Sequence, residues 1–523
     1  MPPLVPDDQA GGAPPEPMKV VIVGAGPSGL LLAHYLLEKG NGRFRVSIHE
    51  AREDPRVTMK RPPTPRRYSL GLSQRGKAAL DKVDGLWAAV KAAGVPTKLG
   101  KIWLFGRLIE LPGRADPTKD DGNVITDRTA LCAAMLEHLM AKYGDTKLLE
   151  VRFNQSCTQV DMDARTVTFS DVQTGGLLPI DRINAATGIE TAGVKGFVTA
   201  GVNGHGEVVY TKEYDLLVGA DGVRSVVRGS MMQHLRSFDY EQRDLGSQWL
   251  VANIPVPPAT EHNWMIILGS KPGGLGGLLL PSTLSLEGDP TMCLVLGWQI
   301  AEPPEPWLAL KTGQEAKEFL ERHLPWLQVP LEAAESLVTQ RPSRSMQLKC
   351  SQYHDADGRA VLMGDAAHST SPSIGQGCNT SLADAAALAS LLLGMSDASE
   401  LPGVLERYSA LRVPEGHALV DLSESQAPMK VSLALGNAIR MFRQGICHWL
   451  LPKVFIKPVM TAAGTTQPLA EIYRLHKKDV DRVLDSNRQE LKKLREKEFR
   501  TKQAVFANAD NTAGVDPTAK KVA

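Results

Sequence analysis

The sequence predicts an α/β protein that combines a Rossmann-like domain, a second domain built on a β-sheet and a helical C-terminal part. The first observation is a βαβ opening, in which the apolar strand Lys19–Val23 precedes the helix Gly29–Glu38 and the strand Phe44–Glu50. The second is the segment 237–347, where apolar β-type stretches alternate with Pro and Gly turns, as is typical of an antiparallel sheet. The third is the mostly helical character of the sequence after about residue 384.

The overall composition is that of a globular protein without an unusual charge. The 523 residues exceed one ordinary core, and 43% of them are hydrophobic and 22% charged. The net charge of +1 gives no electrostatic reason to expect nucleic acid as a partner. The six cysteines are scattered without a CxxC pair. This spacing argues against a zinc site or a disulfide framework and favours a reducing compartment, the cytoplasm or an organelle matrix.

Both ends of the chain are expected to be disordered. Residues 1–17 are rich in Pro, Gly and Asp and lack the basic and apolar regions of a secretory signal, so they are expected to be a disordered leader. Residues 506–523 are expected to be a disordered tail. No stretch approaches the roughly 18 uncharged apolar residues of a spanning helix, although peripheral membrane contact stays open.

Further elements are predicted between the βαβ opening and the antiparallel region. The Pro- and Arg-rich segment Arg52–Arg67 is expected to be a loop, and Ser73–Ala93 a helix. Lys101–Leu111 has the pattern of a strand or hairpin arm, and Asp127–Tyr143 that of a helix capped by Asp127.

Two later regions have distinctive patterns. Residues 148–218 are expected to be strands broken by a Gly-rich insertion at 174–196, with Tyr214–Val218 as a buried strand. Leu469–Gln503 is expected to be a charged helix packed along one thin apolar seam, rather than a partner-binding coiled coil. The residues of that seam are Val480, Leu484, Leu491 and Leu494.

The first motif is the loop after the opening strand, Gly24-Ala25-Gly26-Pro27-Ser28-Gly29. Glycines at this GxGxxG spacing permit a tight turn, close approach of a pyrophosphate and close packing of helix on strand. The helix N-terminus supplies free N–H groups and a positive dipole end. Glu50 ends the next strand, where an acid binds ribose hydroxyls. A purely structural Gly-rich turn does not need Glu50, so dinucleotide binding is favoured.

The second motif is YDLLVGADGVRSVVR, where a buried strand ends in Asp221 and Gly222. Two basic residues, Arg224 and Arg228, follow one helical turn apart. A strand that ends in an Asp-Gly turn before a surface helix is an equally good explanation of this segment alone. The two other motifs favour a functional interpretation.

The third motif, GDAAHSTSPSIGQGCN, follows the buried strand Arg359–Met363. Asp365 stands at the strand end, where its carboxylate can accept a hydrogen bond from a ribitol or ribose hydroxyl. Pro372 fixes the backbone, and Gly375 and Gly377 allow a flat ring to approach the main chain. A helix that begins near Asn379 directs its positive end at the bound group, which would stabilise a ring that gains negative charge on reduction.

Together, these motifs resemble those of the flavin-dependent aromatic hydroxylases of the para-hydroxybenzoate hydroxylase type. They occur in the family's order, and the likeness covers about 19–463. Within the family, the chain is most similar to the kynurenine 3-monooxygenases at His49–Val57, Leu70–Leu80, Ser237–Leu245 and Arg412–Glu424. The resemblance implies a three-layer Rossmann-like FAD domain, a β-sheet substrate domain, and the use of FAD, O2 and NADPH, with NADH as an alternative donor.

The resemblance also assigns residues to the cofactor. Glu50 and Arg52 would hold the adenosine end, Asp221 and Gly222 the pyrophosphate side, and Arg128 would lie against the flavin. Asp365 would hold the ribitol. The isoalloxazine would be wrapped by the segment that contains Pro372, Gly375, Gln376, Gly377 and Asn379. No acid–base catalytic residue is assigned, because His368 is expected to cap or pack rather than titrate.

The expected domain boundaries follow from the motifs and the patterns. A discontinuous FAD-binding domain is predicted at 18–99, 114–236 and 348–400, and a substrate domain at 100–113 and 237–347. The C-terminal helical region is predicted at 401–505.

The chain departs from the kynurenine hydroxylases at the substrate. Those enzymes place a carboxylate-gripping Arg just before the strand Lys101–Leu111 and a Tyr just after it; the matching positions are Gly100 and Gly113. Lys98 or Lys101 could substitute, although Lys lacks the two-pronged fork of Arg. A late family Tyr is absent as well, since Ser425, Gln426 and Ala427 stand there.

Three functions are compatible with these residues. The first is hydroxylation of a small aromatic or conjugated substrate through a flavin C4a-hydroperoxide, with kynurenine included but not favoured. The second is an FAD oxidoreductase without oxygen insertion, of the isoprenoid or lipid reductase type. The third is a flavoprotein that acts mainly as a binding module through its charged C-terminal helix. The sequence does not determine the oligomeric state.

Overall fold

The computed structural model describes most of the chain. The described residues are 16–61, 67–97, 99–104, 107–110, 123–171, 198–202, 208–258, 260–269, 275–286, 288–298, 305–451 and 453–513. The strands are β1 Met18–Val23, β2 Phe44–His49, β3 Ser69–Leu72, β4 Val95–Pro96, β5 Leu99–Leu104, β6 Arg107–Glu110, β7 Val124–Asp127, β8 Leu149–Arg152, β9 Gln155–Asp161, β10 Thr166–Asp171, β11 Val198–Val202, β12 Val208–Glu213, β13 Leu216–Gly219, β14 Tyr240–Pro255, β15 Trp264–Leu268, β16 Gly276–Leu286, β17 Asp289–Trp298, β18 Ser343–Cys350 and β19 Ala360–Leu362.

The helices complete the description of the fold. They are α1 Pro27–Lys39, α2 Pro55–Met59, α3 Gln74–Leu80, α4 Leu86–Ala92, α5 Arg128–Tyr143, α6 Val226–His234, α7 Glu305–Leu308, α8 Gly313–His323, α9 Leu331–Thr339, α10 Asp365–His368, α11 Gly377–Leu393, α12 Leu401–Ser425, α13 Val431–Leu450, α14 Val459–Ala463 and α15 Leu469–Ala513, with 3-10 turns at Pro372–Ile374 and Ala398–Glu400.

A five-stranded sheet forms the centre of the first domain. Its order is β19-β13-β1-β2-β8, and every neighbouring pair is parallel. The strands are short apolar runs that are buried on both faces, as parallel strands require. On one side, α1 packs between α5 and α11. The predicted βαβ opening is confirmed, and the carboxyl ends of β1, β2, β13 and β19 meet at one edge, where ligands bind in such sheets.

Two smaller sheets complete this domain. One is antiparallel, with the order β11-β12-β10-β9, and α6 packs on its β9 edge. The other joins β3, β7 and β4. This small sheet contacts β16 of the second domain and therefore lies between the two cores.

A seven-stranded sheet forms the second domain, in the order β18-β14-β17-β16-β15-β5-β6. The strands of segment 237–347 pair antiparallel throughout, which confirms the antiparallel sheet predicted there. β5, from outside that segment, adds to the sheet by pairing parallel with β15 and antiparallel with β6. The sheet has an outer face, where Ile266 and Leu294 pack under α8 and α9. Its inner face carries Val251, Leu280 and Cys293, which pack against Ile125 of the first domain.

The C-terminal helices α14 and α15 pack against α12 and against Ile374 of the third motif. Val480 and Leu484 of α15 are buried against Leu419 and Leu422 of α12. This contact confirms the prediction that α15 is a charged helix packed along one apolar seam. The helix continues to Ala513, into the segment 506–523 that we expected to be disordered.

Two local predictions are wrong. Arg52–Arg67 is not all loop, because α2 begins at Pro55 under the capping carboxylate of Asp54. Ser73–Ala93 is not one helix, because the chain turns at Gly85, whose φ of +73° favours glycine. The predicted insertion at 174–196 lies outside the described residues. Within the described ranges, no helix is both long enough and apolar enough to cross a membrane.

Candidate flavin site

The GxGxxG loop connects β1 to α1 and each of its glycines has a different surrounding. A Cβ on Gly24, whose φ is +107°, would lie 2.3 Å from the carbonyl oxygen of Ala220. A Cβ on Gly29 would lie 2.2 Å from the carbonyl oxygen of Gly24. A Cβ on Gly26 would meet nothing within 4 Å. The first and third glycines therefore serve packing, whereas the second leaves open the space through which a pyrophosphate would approach.

The first turn of α1 is available to an anion. Gly26 is its N-cap, no side chain caps the helix, and no acid lies in its first turn. Ser28 sits in this turn and is 6% exposed. The N–H groups and the positive dipole end of α1 therefore point at the open space beside Gly26.

Glu50 lies directly after β2, as the sequence predicted. Its Oε2 accepts a hydrogen bond from the Ala25 N–H at 2.9 Å, and its Oε1 accepts one from the Arg52 N–H at 3.0 Å. The carboxylate is thus fixed beside the glycine loop at the end of the neighbouring parallel strand. Arg52 is exposed next to it. Both residues are placed where an adenosine ribose would bind.

The second motif, which contains Asp221 and Gly222, is linked to the third motif. Asp221 Oδ2 accepts hydrogen bonds from the N–H groups of Val226 and Val227, and burial raises the pKa of the carboxyl group. Asp221 Oδ1 is buried without a hydrogen-bond partner among the described residues. Gly222, with φ of +79°, faces open space. The Arg228 guanidinium donates to the Ala366 carbonyl at 2.9 Å and so ties this motif to the third one.

Arg128 is the first residue of α5, which Asp127 caps as predicted by accepting from the Thr129 and Ala130 N–H groups. Burial disfavours the charged form of Arg128. Its neighbours nevertheless raise its pKa, so the guanidinium stays positive. Those neighbours are Tyr68, Cys132, Asp365 and Glu50.

Tyr68 is a site residue that the sequence reasoning missed. Tyr68 is 42% exposed and directly precedes β3, and its carbonyl accepts a hydrogen bond from the Arg128 N–H. The available signal was an aromatic residue immediately before a strand that pairs with β7, the strand that leads into Arg128. Because this pairing spans more than fifty residues, the local pattern did not show it.

The third motif forms a wall from α10 to α11. Asp365 is the exposed first residue of α10, and Pro372 opens the following 3-10 turn. Gly375, with φ of +64°, faces open space, and Gly377 begins α11. The bare backbone of this turn is therefore accessible to a flat ring, as the sequence predicted.

Two polar residues of this wall bind protein groups. Asn379 Oδ1 accepts from the Ser73 N–H at 2.9 Å, and its Nδ2 donates to the carbonyls of Gly71 and Gly375. Gln376 Oε1 accepts from the Ser73 hydroxyl at 3.2 Å. Both side chains hold the wall against β3 and α3, so any contact with a flavin comes from their backbone or from a rearranged Gln376.

A buried ionic cluster supports the same wall. Asp384 of α11 accepts from Gly364 N–H, from His368 Nε2 at 2.5 Å and from Arg412 Nε at 2.7 Å. Burial alone would raise the pKa of Asp384, but the charges of His368 and Arg412 and these hydrogen bonds lower it to about 2. His368 is 1% exposed, so the expectation that it packs rather than serves the chemistry agrees with its position.

The inner face of β5 does not present a cation that could bind a substrate carboxylate. Gly100 of β5 is in register with Met265, whose side chain belongs to the inner face. Lys101 is in register with Ile266 on the outer face, and its Nζ lies 3.4 Å from the ring centroid of Trp264. Since neighbouring residues of a strand point to opposite faces, Lys101 faces away from the flavin domain. Lys98 and Gly113 lie outside the described residues.

The comparisons with known proteins agree with this arrangement. A family model described as "FAD binding domain" matches residues 17–423. The kynurenine 3-monooxygenase of Salinispora tropica is 29% identical over 470 residues, covering 89% of this chain and 92% of that protein. The kynurenine 3-monooxygenase of Aspergillus candidus is 27% identical and covers 88% of each chain.

Solved structures share the fold. A tetrameric 2-methyl-3-hydroxypyridine-5-carboxylic acid oxygenase matches with a TM-score of 0.58 and 19% identity, covering 86% of this chain and 96% of that one. The chain belongs to the FAD binding domain family of flavoproteins. It is an FAD-dependent monooxygenase, as predicted, and kynurenine 3-monooxygenases are among its homologues.

The described residues fit FAD. The open backbone at Gly26, the uncapped N-terminus of α1 and the exposed Asp365 lie at one edge of the parallel sheet. The cationic Arg128 lies near them, since Asp365 and Glu50 raise its pKa. The N–H groups at the start of α1 can donate to a pyrophosphate, and Asp365 can accept from hydroxyl groups beside the wall of the third motif.

We expect Gly26→Val to abolish tight FAD binding without loss of folding. The new side chain projects into space that is open in the protein but is needed by the pyrophosphate, so the Kd for FAD should rise roughly tenfold or more. Flavin fluorescence titration of the apoprotein measures this Kd. The control is Gly403→Val in α12, where a Cβ also meets open space. An unchanged Kd for the Gly26 variant would show that the pyrophosphate does not bind there.

Proposed function

We propose that the protein uses NADPH and O2 to hydroxylate a small aromatic or conjugated substrate. The observation that supports this proposal best is that Gly26, Glu50 and Asp365 follow strands of one parallel sheet at its carboxyl edge. Arg128, at the start of α5, is near enough for Asp365 and Glu50 to raise its pKa. Similarity to kynurenine 3-monooxygenases over most of the chain supports the reaction type.

The protein's own residues have binding and positioning roles in this proposal. The α1 N-terminus and the open backbone at Gly26 bind the pyrophosphate, Glu50 and Arg52 the adenosine ribose, and Asp365 the ribitol hydroxyls. When bound, FAD would supply the redox chemistry that the resemblance implies: it would accept a hydride from NADPH and activate O2, so that one oxygen atom passes to the substrate and the other leaves as water.

The α11 N-terminus stabilises negative charge on the ring system. Gly377 begins this helix and Gly375 leaves the preceding backbone open, so the positive dipole end lies at the wall itself. Arg128 adds a positive charge that burial does not neutralise. We assign no general acid or base, because His368 is engaged by Asp384.

The substrate is proposed to be recognised mainly by apolar contact. The inner face presents Val251, Met265 and Leu280, and at the family's carboxylate-gripping position it presents Gly100. A substrate with an amino-acid carboxylate, kynurenine included, would find no cation on the inner face of β5, because Lys101 lies on the outer face. A reducing compartment, the cytoplasm or an organelle matrix, is proposed as the location, in line with six free thiols.

We expect NADPH oxidation by the FAD-loaded protein to be stimulated by a subset of apolar aromatic compounds. The panel includes kynurenine, and the reaction is run in isotopically labelled O2. One labelled oxygen atom should appear in the product, detected by mass spectrometry, because a monooxygenase transfers one atom of O2 to its substrate and reduces the other to water.

Two results would contradict the proposal. A reduced or oxidised product without labelled oxygen would indicate an FAD oxidoreductase without oxygen insertion. Bound FAD with NADPH turnover that no compound stimulates would indicate a flavoprotein that acts mainly by binding. NADH in place of NADPH tests the donor in the same assay.

We expect Lys101→Met to leave the KM of the active substrate within about twofold of its original value, because the ammonium group lies over Trp264 on the outer face. Steady-state kinetics on the substrate found in the panel measure this. The matched inner-face variant is Gly100→Arg, which should lower the KM of carboxylate-bearing aromatics while FAD stays bound. A KM for Lys101→Met raised tenfold at unchanged kcat would mean that Lys101 reaches the substrate.

A further inference from the structure

Polar side chains are buried on the inner face of the seven-stranded sheet, near its β18 edge. Ser343 of β18 is in register with Trp249, which packs on the inner face. Because alternate residues of a strand share one face, Ser345 and Gln347 lie on the inner face as well. Arg243 is in register with Gln347, so its side chain lies on the same side. These residues belong to the face against which the substrate is proposed to bind.

Helix α12 covers this part of the inner face. The Gln347 amide donates to the Val420 carbonyl at 3.5 Å. Glu424 follows Val420 by about one helical turn, and its Oε2 lies 3.4 Å from Nη1 of Arg243. Glu424 therefore points from α12 towards the sheet, into the same group of polar side chains.

The same turn of α12 touches the flavin wall. The Ser423 carbonyl accepts a hydrogen bond from the hydroxyl of Ser373, which lies in the 3-10 turn Pro372–Ile374. Ile374 of this turn packs in one apolar cluster with Leu422. Glu424 follows directly after Ser423, so the buried polar group adjoins the wall that would face a flavin ring.

Much of this group lacks hydrogen-bond partners among the described residues. The unpartnered atoms are both carboxylate oxygens of Glu424, Oε1 of Gln347, Nη1 of Arg243 and the hydroxyls of Ser345 and Ser423. Glu424 is 1% exposed, and Ser345 and Gln347 are each 2% exposed. Buried polar atoms are nearly always hydrogen-bonded in folded proteins, so these atoms indicate a place for a bound polar group.

The carboxyl group of Glu424 is only partly compensated. Burial raises its pKa, and the ion pair with Arg243 does not offset this effect. The Asn487 amide nearby is engaged by the backbone, because its Oδ1 accepts from the Met429 N–H and its Nδ2 donates to the Ala427 carbonyl. Glu424 therefore keeps acceptor capacity for a ligand.

We propose that Glu424 binds a hydroxyl or amino group of the substrate, with Gln347 and Ser345 completing the hydrogen bonds of that group. Carboxylate oxygens and an amide oxygen accept hydrogen bonds, which suits a group that donates them. A substrate carboxylate would be repelled, because Arg243 is already paired with Glu424 and with Glu241. This inference rests on the proposed function, since it names the substrate class of the same site.

The test is the binding of four monosubstituted benzenes to the full-length, FAD-loaded protein without NADPH. Phenol and aniline carry a donor group, toluene carries none, and benzoate carries a carboxylate. Titration followed by the change in visible flavin absorbance gives each Kd. We expect phenol, aniline or both to bind roughly tenfold more tightly than toluene and benzoate. The comparison of phenol with aniline shows whether the site prefers a hydroxyl or an amino group.

Glu424→Gln keeps the shape of the side chain and removes its charge. The Kd of the preferred donor compound should rise roughly fivefold or more, and that of benzoate should fall, because Arg243 then lacks its buried carboxylate partner. The Kd of toluene should stay within about twofold. A purely structural role of Glu424 would instead weaken all four compounds alike.

The matched control is Glu241→Gln, which removes the other carboxylate partner of Arg243. The Glu241 side chain is 53% exposed, so this variant should keep the original order of Kd values. The order measured in the original protein tests the proposal by itself, even if Glu424→Gln does not fold.

Two results would overturn the proposal. The first is an original protein that binds toluene or benzoate as tightly as both donor compounds, since the polar group would then hold only water. The second is a folded Glu424→Gln variant with the original four Kd values. Neither result affects the reaction, which labelled oxygen in a product would still support. The expected order of Kd values without labelled oxygen in any product would overturn the reaction and leave the binding role of Glu424 intact.

Discussion

The buried carboxylate of Asp384 is the interaction on which the flavin site depends. It holds both ends of α10 through Gly364 and His368, and it joins α11 to α12 through Arg412. Asp384 is fully buried, and a buried charge is tolerated only when it is paired and hydrogen-bonded. Its pKa is lowered from 3.8 to about 2, so its contribution to stability is complete above about pH 4 and is lost as the pH falls towards 2.

The remaining contacts of the site extend this anchor to the other motifs. Arg228 connects the turn after β13 to Ala366, and Asn379 connects the start of α11 to Ser73 and Gly71. Segments that are far apart in the chain thereby become one rigid edge beside the glycine loop. This rigidity matters because a flavin site must exclude water and hold the ring in one orientation. In the proposed function, the inner face of the seven-stranded sheet selects the molecule that lies opposite the ring.

Local patterns predicted the parts of this site that depend on local physics. Glycine spacing, the acid after β2, the Asp127 cap and the bare wall at Gly375 all follow from turn geometry and helix ends. Pairings across the fold were not predictable. The roles of Asn379, Arg228 and Tyr68 rest on partners far away in sequence, and the outward direction of Lys101 follows from the register of β5 with β15. The break at Gly85 was missed because the apolar spacing continues through it.

The most direct test of this account is the Kd for FAD of the Asp384→Asn variant, measured together with its free energy of unfolding. Breaking a buried ion pair costs about 3–5 kcal/mol, because Arg412 and His368 lose their partner. If Asp384 organises the wall, FAD binding should weaken by at least about tenfold under conditions where the variant is still folded. A folded variant with the original Kd would contradict the account, since the wall would then form without its anchor.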